Sequence, residues 1–401
     1  MSWRRWGLKD NPYSSIPIDE TTLELFIGRS NEIQTLQDAL SSAKSVIFLQ
    51  SQNGLGATAL GNFWRYNLSQ RRLYFSPYLE LRVEAGQDFY QVLANLIESL
   101  NWSIKQKYLY MAKDEQFVTH EAKSAHFFAA VSSRLTYKNF HEVGGQCLYE
   151  EAKKLFNAIR NIVLRLGYEH GILLQICLQY LQTNSDYEHL YEFKEKMPPL
   201  FSMEHYKWLL IGNGAIKKIF YPTNQKNSAP YWSEIPLAPL EFKELEEILQ
   251  HRKEQLALNQ YAKLPIDTEV IKYLYSACNG RLKDVFSICT KLMGSLDGYQ
   301  INPEVNLESA RPTIKKILQE HLQEKNLTAL SFEIMEFLAK NGHAASSVIA
   351  AQLQKRRPNI SKILNHLNKA GLVQMEVRGR NRIYYPLTEV KLAFGETSRM
   401  G

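Results

Sequence analysis

The sequence predicts a mixed α/β body, then a small helical segment, then a basic C-terminal module of three helices and a hairpin. Three observations carry this. Strand-like runs at residues 46–49, 78–83, 171–176 and 208–211 alternate with helix-period stretches, the pattern of a mostly parallel sheet covered on both faces. The first run, V-I-F-L, empties into a glycine-containing loop and then a helix. Residues 327–401 hold eleven Lys and Arg against five Asp and Glu, which is six of the net charge of +7 over 401 residues.

The elements follow in order. An arm contains Asn11-Pro12-Tyr13, and residues 31–40 place Ile33, Leu36 and Leu40 at helical spacing. Strand, loop and helix run from 46 to about 67. Residues 78–83 (Y-L-E-L-R-V) alternate as a second strand. A long helical region spans 88–166, with a polar interruption near 137–145. Runs at 171–176 and 208–211 make the third and fourth strands. Residues 222–239, rich in Pro, Asn and Ser, read as a boundary loop. Helices are expected at 240–256, 269–277, 281–292 and 309–323, with Asn279-Gly280 as a stop and looser connections at Asp297-Gly298 and Pro303.

Composition excludes several classes. A hydrophobic share of 45% and a charged share of 22% are those of an ordinary globular chain. No stretch reaches the ~20 apolar residues of a membrane helix, so no membrane partner is expected. No apolar run follows Arg4-Arg5, which leaves no signal peptide in view. The four cysteines show no C-x-x-C spacing, so neither a zinc site nor a disulfide framework is expected, and a reducing cytoplasm is the plain reading.

Residues 51–58 read S-Q-N-G-L-G-A-T. The phosphate-binding pattern at this place is G-x-x-x-x-G-K-[ST]. Gly54 and Gly56 let backbone N–H groups turn toward an anion at a helix N-terminus, and Thr58 keeps the hydroxyl that serves Mg²⁺. Ala57 stands where the pattern has Lys, so the charge that reaches the β- and γ-phosphates is missing.

In the C-terminal module, helices are expected at 332–340, 346–354 and 359–369. Strand-like runs at 374–377 and 383–385 then flank the tip Arg378-Gly379-Arg380-Asn381-Arg382. That is a winged helix-turn-helix. The third helix turns Ile360, Ile363, Leu364 and Leu367 to one face and Asn359, Ser361, Lys362, Asn365, His366 and Lys369 to the other. The second set suits base edges and phosphates in a major groove. Arg356 and Arg357 precede it, and Arg378, Arg380 and Arg382 suit phosphate or minor-groove contact. The run L-N-K-A-G-L-V at 367–373, the Arg-rich turn and I-Y-Y-P-L-T resemble the MarR- and ArsR-like winged-helix regulators.

The whole chain resembles the AAA+ ATPases, in particular the origin-recognition initiator-like branch that ends in a winged helix. The resemblance rests on L-F-I-G-R-S-N-E-I at 25–33, the P-loop position, the runs at 171–176 and 210–213, P-L-x-x-x-E-L-x-x-I-L at 239–249, and N-G-R at 279–281. It implies an arm over 1–24, an AAA+-like P-loop core over 25–235, a helical lid over 236–308, a linker helix over 309–326 and a winged helix-turn-helix over 327–401. It also implies Asn213 at the sensor-1 position, Arg281 at the sensor-2 position and Arg29 beside the adenine. In the family the third strand ends in Asp-Glu. Aligning G-I-L-L-Q-I-C-L-Q-Y-L puts Cys177 and Leu178 there. A thiol is a poor Mg²⁺ ligand, and Leu cannot orient a water.

With Ala57, Cys177 and Leu178 at three charged positions, the expected site is a vestigial one: Arg29, Gly54, Gly56, Thr58, Asn213 and Arg281, holding ATP or ADP weakly if at all, with no catalytic residue and no metal. Asp186 and Glu188 are the acids nearest to hand as substitutes. The leading expectation is a duplex-DNA-binding scaffold or recruiter without ATP turnover, alone, self-associated or beside an active AAA+ ATPase. The alternatives are a working ATP-dependent switch with unusual ligands, and a protein-binding adaptor that uses the winged helix.

Overall fold

The computed structural model describes residues 3–111, 145–179, 181, 184–220, 232–295, 305–325, 327–378 and 381–395. The expected polar break at 137–144, the connections at Asp297-Gly298 and Pro303, and Arg380 at the wing tip lie outside them. Two compact units emerge: Pro17–Ala238, and Met1–Ile16 together with Pro239–Gly401.

The first unit is a parallel sheet with helices on both faces. It contains α1 (Ser30–Ser41), β1 (Val46–Gln50), α2 (Ala57–Gln70), β2 (Tyr74–Phe75), β3 (Leu81–Arg82), α3 (Phe89–Met111), α4 (Gly145–Arg165) and β4 (Gly171–Cys177). There follow α5 (Asn184–Lys196), α6 (Pro198–Phe201), β5 (Tyr206–Gly212), α7 (Gly214–Phe220) and β6 (Trp232–Pro236). The strand order is β2-β4-β5-β1-β6, with β3 also on β4, and every described pairing is parallel.

The central strands are near-continuous apolar runs because both of their faces are covered. Val46, Phe48, Leu174, Ile176, Trp208 and Leu210 pack on one side with α3 and α4. Ile47, Leu49, Leu173, Leu209 and Ile211 pack on the other with Leu60 and Trp64 of α2. β4 begins at Gly171, whose φ is +116°. A Cβ there would stand 2.1 Å from the His205 carbonyl oxygen, so only glycine fits.

One expectation is corrected. The stretch 222–239, read as a loop, contains strand β6, which pairs residue for residue with β1 from Val46↔Trp232 to Gln50↔Pro236. Its Pro and Ser content masked it. Pro236 is tolerated because β6 is the sheet's edge strand and the proline closes it.

The second unit joins the arm to helices α8 (Phe242–Leu256), α9 (Thr268–Ala277), α10 (Leu282–Ser295) and α11 (Leu307–Gln323). A Glu241/Glu244 capping box starts α8, and Asn306 caps α11 through the Ser309 N–H. Then come α12 (Ala329–Asn341), β7 (Ala344–Ala345), α13 (Ser346–Gln352), α14 (Arg357–Lys369), β8 (Val373–Arg378), β9 (Asn381–Pro386) and α15 (Thr388–Phe394). The hairpin β8–β9 carries β7 as a third antiparallel strand, in the order β7-β9-β8. Two-residue β7 and the closing helix α15 had no clear sequence signal. Helix α15 is anchored to α11 by Gln319 Nε2 donating to the Ala393 carbonyl (2.9 Å) and by His321 on Glu389, which Lys325, just past α11, also pairs with.

Candidate functional site

Two places hold most of the candidate residues. The first is the mouth of the sheet, where β1 turns into α2. Gly54 and Gly56 hold φ of +90° and +92°, and Gly56 is the N-cap of α2. This is the left-handed turn that aims backbone N–H groups outward. Arg29 is 7% exposed and itself left-handed. Its guanidinium donates to Glu32 Oε1 (2.7 Å), the Ala238 carbonyl (2.8 Å) and the Leu55 carbonyl (3.1 Å). It clamps the loop from behind.

Thr58 is buried at the start of α2. Gln179 Nε2 donates to its hydroxyl at 2.7 Å, and Cys177 Sγ stands 4.0 Å from the same oxygen. An amide N–H thus approaches the threonine oxygen that would face a cation. Burial pushes the Cys177 thiol up to about 11, opposed by a hydrogen bond from Gln175, so near neutral pH it is a protonated thiol and a poor metal ligand. Leu178 is fully buried in the core of the opposite face. Among the described residues no group of His, Cys, Asp and Glu could hold a metal ion.

Strand β5 lies between β1 and β4, which brings its end beside both the loop and Cys177. Asn213, just past β5, caps α7: its Oδ1 accepts from the Ala215 and Ile216 N–H groups (2.9 and 3.0 Å). Arg281 belongs to the other unit, where its Nε pairs with Asp284 at 2.9 Å. Asp186 and Glu188 lie on α5. Sequence reasoning missed Gln179, and it missed Arg65. Arg65 is fully buried and donates to Asn62 and Tyr66 and to the carbonyls of Pro77 and Tyr78, with Glu80 at 3.8 Å. An Arg in the middle of a helix gives no sequence signal of burial, and a Gln two residues past a strand gives none of a partner 121 positions away.

The second place is the surface of α14 and the wing. Ile360, Leu364 and Leu367 are fully buried, packing α14 into the module core. Lys355, Arg356, Arg357, Asn359, Lys362, Asn365 and His366 are exposed, and Ser361 is half-buried. Pro358 occupies the first turn, where its missing N–H costs nothing. Lys369 ends α14 and Arg378 ends β8, and Arg382 is exposed on β9. Among the described residues Lys355, Arg356, Arg357, Lys362 and Arg382 have no carboxylate partner.

Residues 327–399 match the penicillinase repressor family. The match covers the winged-helix module and nothing before it. No curated protein matches the chain in sequence. Among solved structures it is similar to the ORC2 protein of Aeropyrum pernix in its ADPNP-ADP complexes, at 13% identity and a TM-score of 0.52, covering 96% of this chain and 97% of that one. It is also similar to the ORC1 protein of the same organism in complex with DNA, at 14% identity and a TM-score of 0.47, over 97% and 95% of the two chains. CDC6P from Pyrobaculum aerophilum matches at 10% identity and 0.41, over 94% and 98%. The ORC2 likeness shows a shared fold: an AAA+-like α/β body followed by a winged helix.

Proposed function

We propose that this chain binds duplex DNA through its winged helix, and that its AAA+-like body serves as a scaffold or recruiter without turning over ATP. The observation that carries the reading is the exposed set Lys355, Arg356, Arg357, Lys362 and Arg382, displayed at the start of α14, along it and on the wing without carboxylate partners among the described residues, opposite a packed apolar face. Cations left in water beside Asn359, Asn365 and His366 fit a polyanion with readable edges. The name of the penicillinase repressor family supports the same reading for residues 327–399. The inactive half rests on the loop itself. Ala57 supplies no charge, the Cys177 thiol is protonated, Leu178 is in the core, and Gln179 engages Thr58. Any nucleotide that binds, ATP or ADP, is held weakly and without a Mg²⁺ requirement. Self-association or pairing with an active AAA+ ATPase completes the scaffold role.

The test is fluorescence anisotropy of the full chain on a labelled duplex at rising salt, with and without Mg–ATP. The expected result is a steep log–log salt dependence, with a slope of roughly −0.9 per phosphate contact, unchanged by nucleotide. Binding that appears only with Mg–ATP would restore the working-switch alternative, and no binding at low salt would leave the adaptor.

A further inference from the structure

The first nine residues hold three cations, Arg4, Arg5 and Lys9, and no acid. The structure gives this short segment a fixed seat in the C-terminal unit. Trp6, Leu8 and Tyr13 are buried. The Lys9 N–H donates to the Leu256 carbonyl (2.8 Å), the Leu258 N–H to the Gly7 carbonyl (2.7 Å), and the Lys263 N–H to the Trp6 carbonyl (3.1 Å). Gly7 has φ of +72°, and a Cβ there would meet Ala262 Cα at 2.9 Å, so the arm lies flush on the 257–263 loop. From α8 and α10, Arg252 donates to the Pro12 and Ser14 carbonyls, and Thr290 to that of Tyr13.

With the apolar side turned inward, the polar side faces water. Arg4, Arg5, Lys9 and Lys263 are exposed, and Tyr261 and Leu258 beside them are 79% and 52% exposed. Lys263 lies 5.5 Å from the Trp6 ring centroid, which holds its stem along the arm. Arg4 and Lys9 have no carboxylate partner among the described residues. The neighbouring acids are engaged elsewhere: Asp10 accepts the Asn11 N–H, and Glu254 accepts from Gln250.

We propose that the arm and the 257–263 loop form a second DNA-contact surface, with Arg4, Lys9 and Lys263 on backbone phosphates and the Tyr261 ring and hydroxyl against the sugar–phosphate edge. The inference rests on the reading of the chain as a duplex-DNA binder. Part of the salt dependence then resides outside the basic C-terminal module, on the backbone-bonded arm. The buried Trp6, Leu8 and Tyr13 side chains hold the backbone that carries Arg4 and Lys9. Phosphate contacts of this kind position a protein on a duplex and carry no sequence information.

The experiment compares four full-length proteins on duplexes of different sequence across a salt series: the parent, Arg4→Ala/Lys9→Ala/Lys263→Ala, Arg356→Ala/Arg357→Ala/Arg382→Ala, and a charge-preserving arm variant. The arm variant is expected to flatten the log–log salt slope by about 2–3 and to weaken binding on the order of tenfold at low salt, equally for all sequences. The charge-preserving Arg4→Lys/Lys9→Arg/Lys263→Arg is expected to bind as the parent, which separates lost charge from lost folding. If the wing variant loses affinity while the arm variant keeps the parent slope, the second surface is refuted and the DNA reading stands. If the arm variant leaves DNA binding intact but abolishes binding to phosphatidylserine vesicles, the surface serves an anionic membrane and the proposal is overturned.

Discussion

The mouth of the α/β body and the face of the winged helix spend their polar groups in opposite ways. At the mouth, Arg29, Thr58, Asn213 and Gln179 are bound to other parts of the same unit. On the winged helix, Lys355, Arg356, Arg357 and Lys362 are exposed and meet no carboxylate among the described residues. A group whose hydrogen bonds are made internally contributes to stability and offers little to a ligand. A group left in water costs nothing to fold and is available to a partner. Position in a motif is therefore a weaker guide to binding than the state of a side chain's hydrogen bonds.

The largest expected effect tests the outward half. Replacing Arg356, Arg357, Lys362 and Arg382 by Ala together should lower duplex affinity on the order of 100-fold at about 0.1 M salt. The salt slope should flatten by roughly 0.9 for each phosphate that is no longer neutralised. Thermal unfolding of the variant should match the parent, because these side chains stand in water and pair with no acid among the described residues.

The inward half has the converse signature. Arg29→Ala removes the guanidinium from Glu32 and from two carbonyls, and should cost roughly 2–3 kcal/mol in denaturant unfolding of the Pro17–Ala238 unit. Duplex affinity should not move. A change in DNA binding without loss of stability would break the comparison.

A smaller effect is read in alkaline titration. Burial raises the Cys177 thiol from its ordinary 9.0 to about 11. A pKa raised in the folded state gives stability that is complete below the unfolded value and is lost as pH rises through the folded one. Between about pH 9 and 11, Cys177→Ala should therefore flatten the alkaline loss of stability by roughly 2 kcal/mol. Burial pushes Cys278 to about 12 and Cys289 higher still, so Cys177, Cys278 and Cys289, followed by peptide mapping, should resist a thiol reagent at pH 8 until the protein is unfolded.

The smallest expected effect is none. Ala57→Lys should not confer Mg²⁺-dependent ATP hydrolysis, because Leu178 still orients no water and Cys177 still binds no metal. Phosphate release above that of a Thr58→Ala control would show that the mouth retains catalytic chemistry.

What depends on neighbours in the chain was legible in the residues alone. Apolar runs at 46–49, 171–176 and 208–211 lie in strands because a strand covered on both faces must be apolar throughout. The spacing of Ile360, Leu364 and Leu367 set which face of α14 is buried, and so which residues remain outside. Tertiary structure decided what depends on distant partners. Strand β6 became a strand because β1 offered it an edge, against a composition that reads as loop. Arg29 reached the Ala238 carbonyl across 209 positions, and Gln179 reached Thr58 across 121. The arm found its seat on the 257–263 loop through backbone bonds to partners about 250 positions away, which no local pattern announces. Periodicity records which side of an element faces the core, because burial of apolar surface acts on every turn. It carries no record of which remote donor meets which acceptor, and those pairings separate a group held inward from one offered outward.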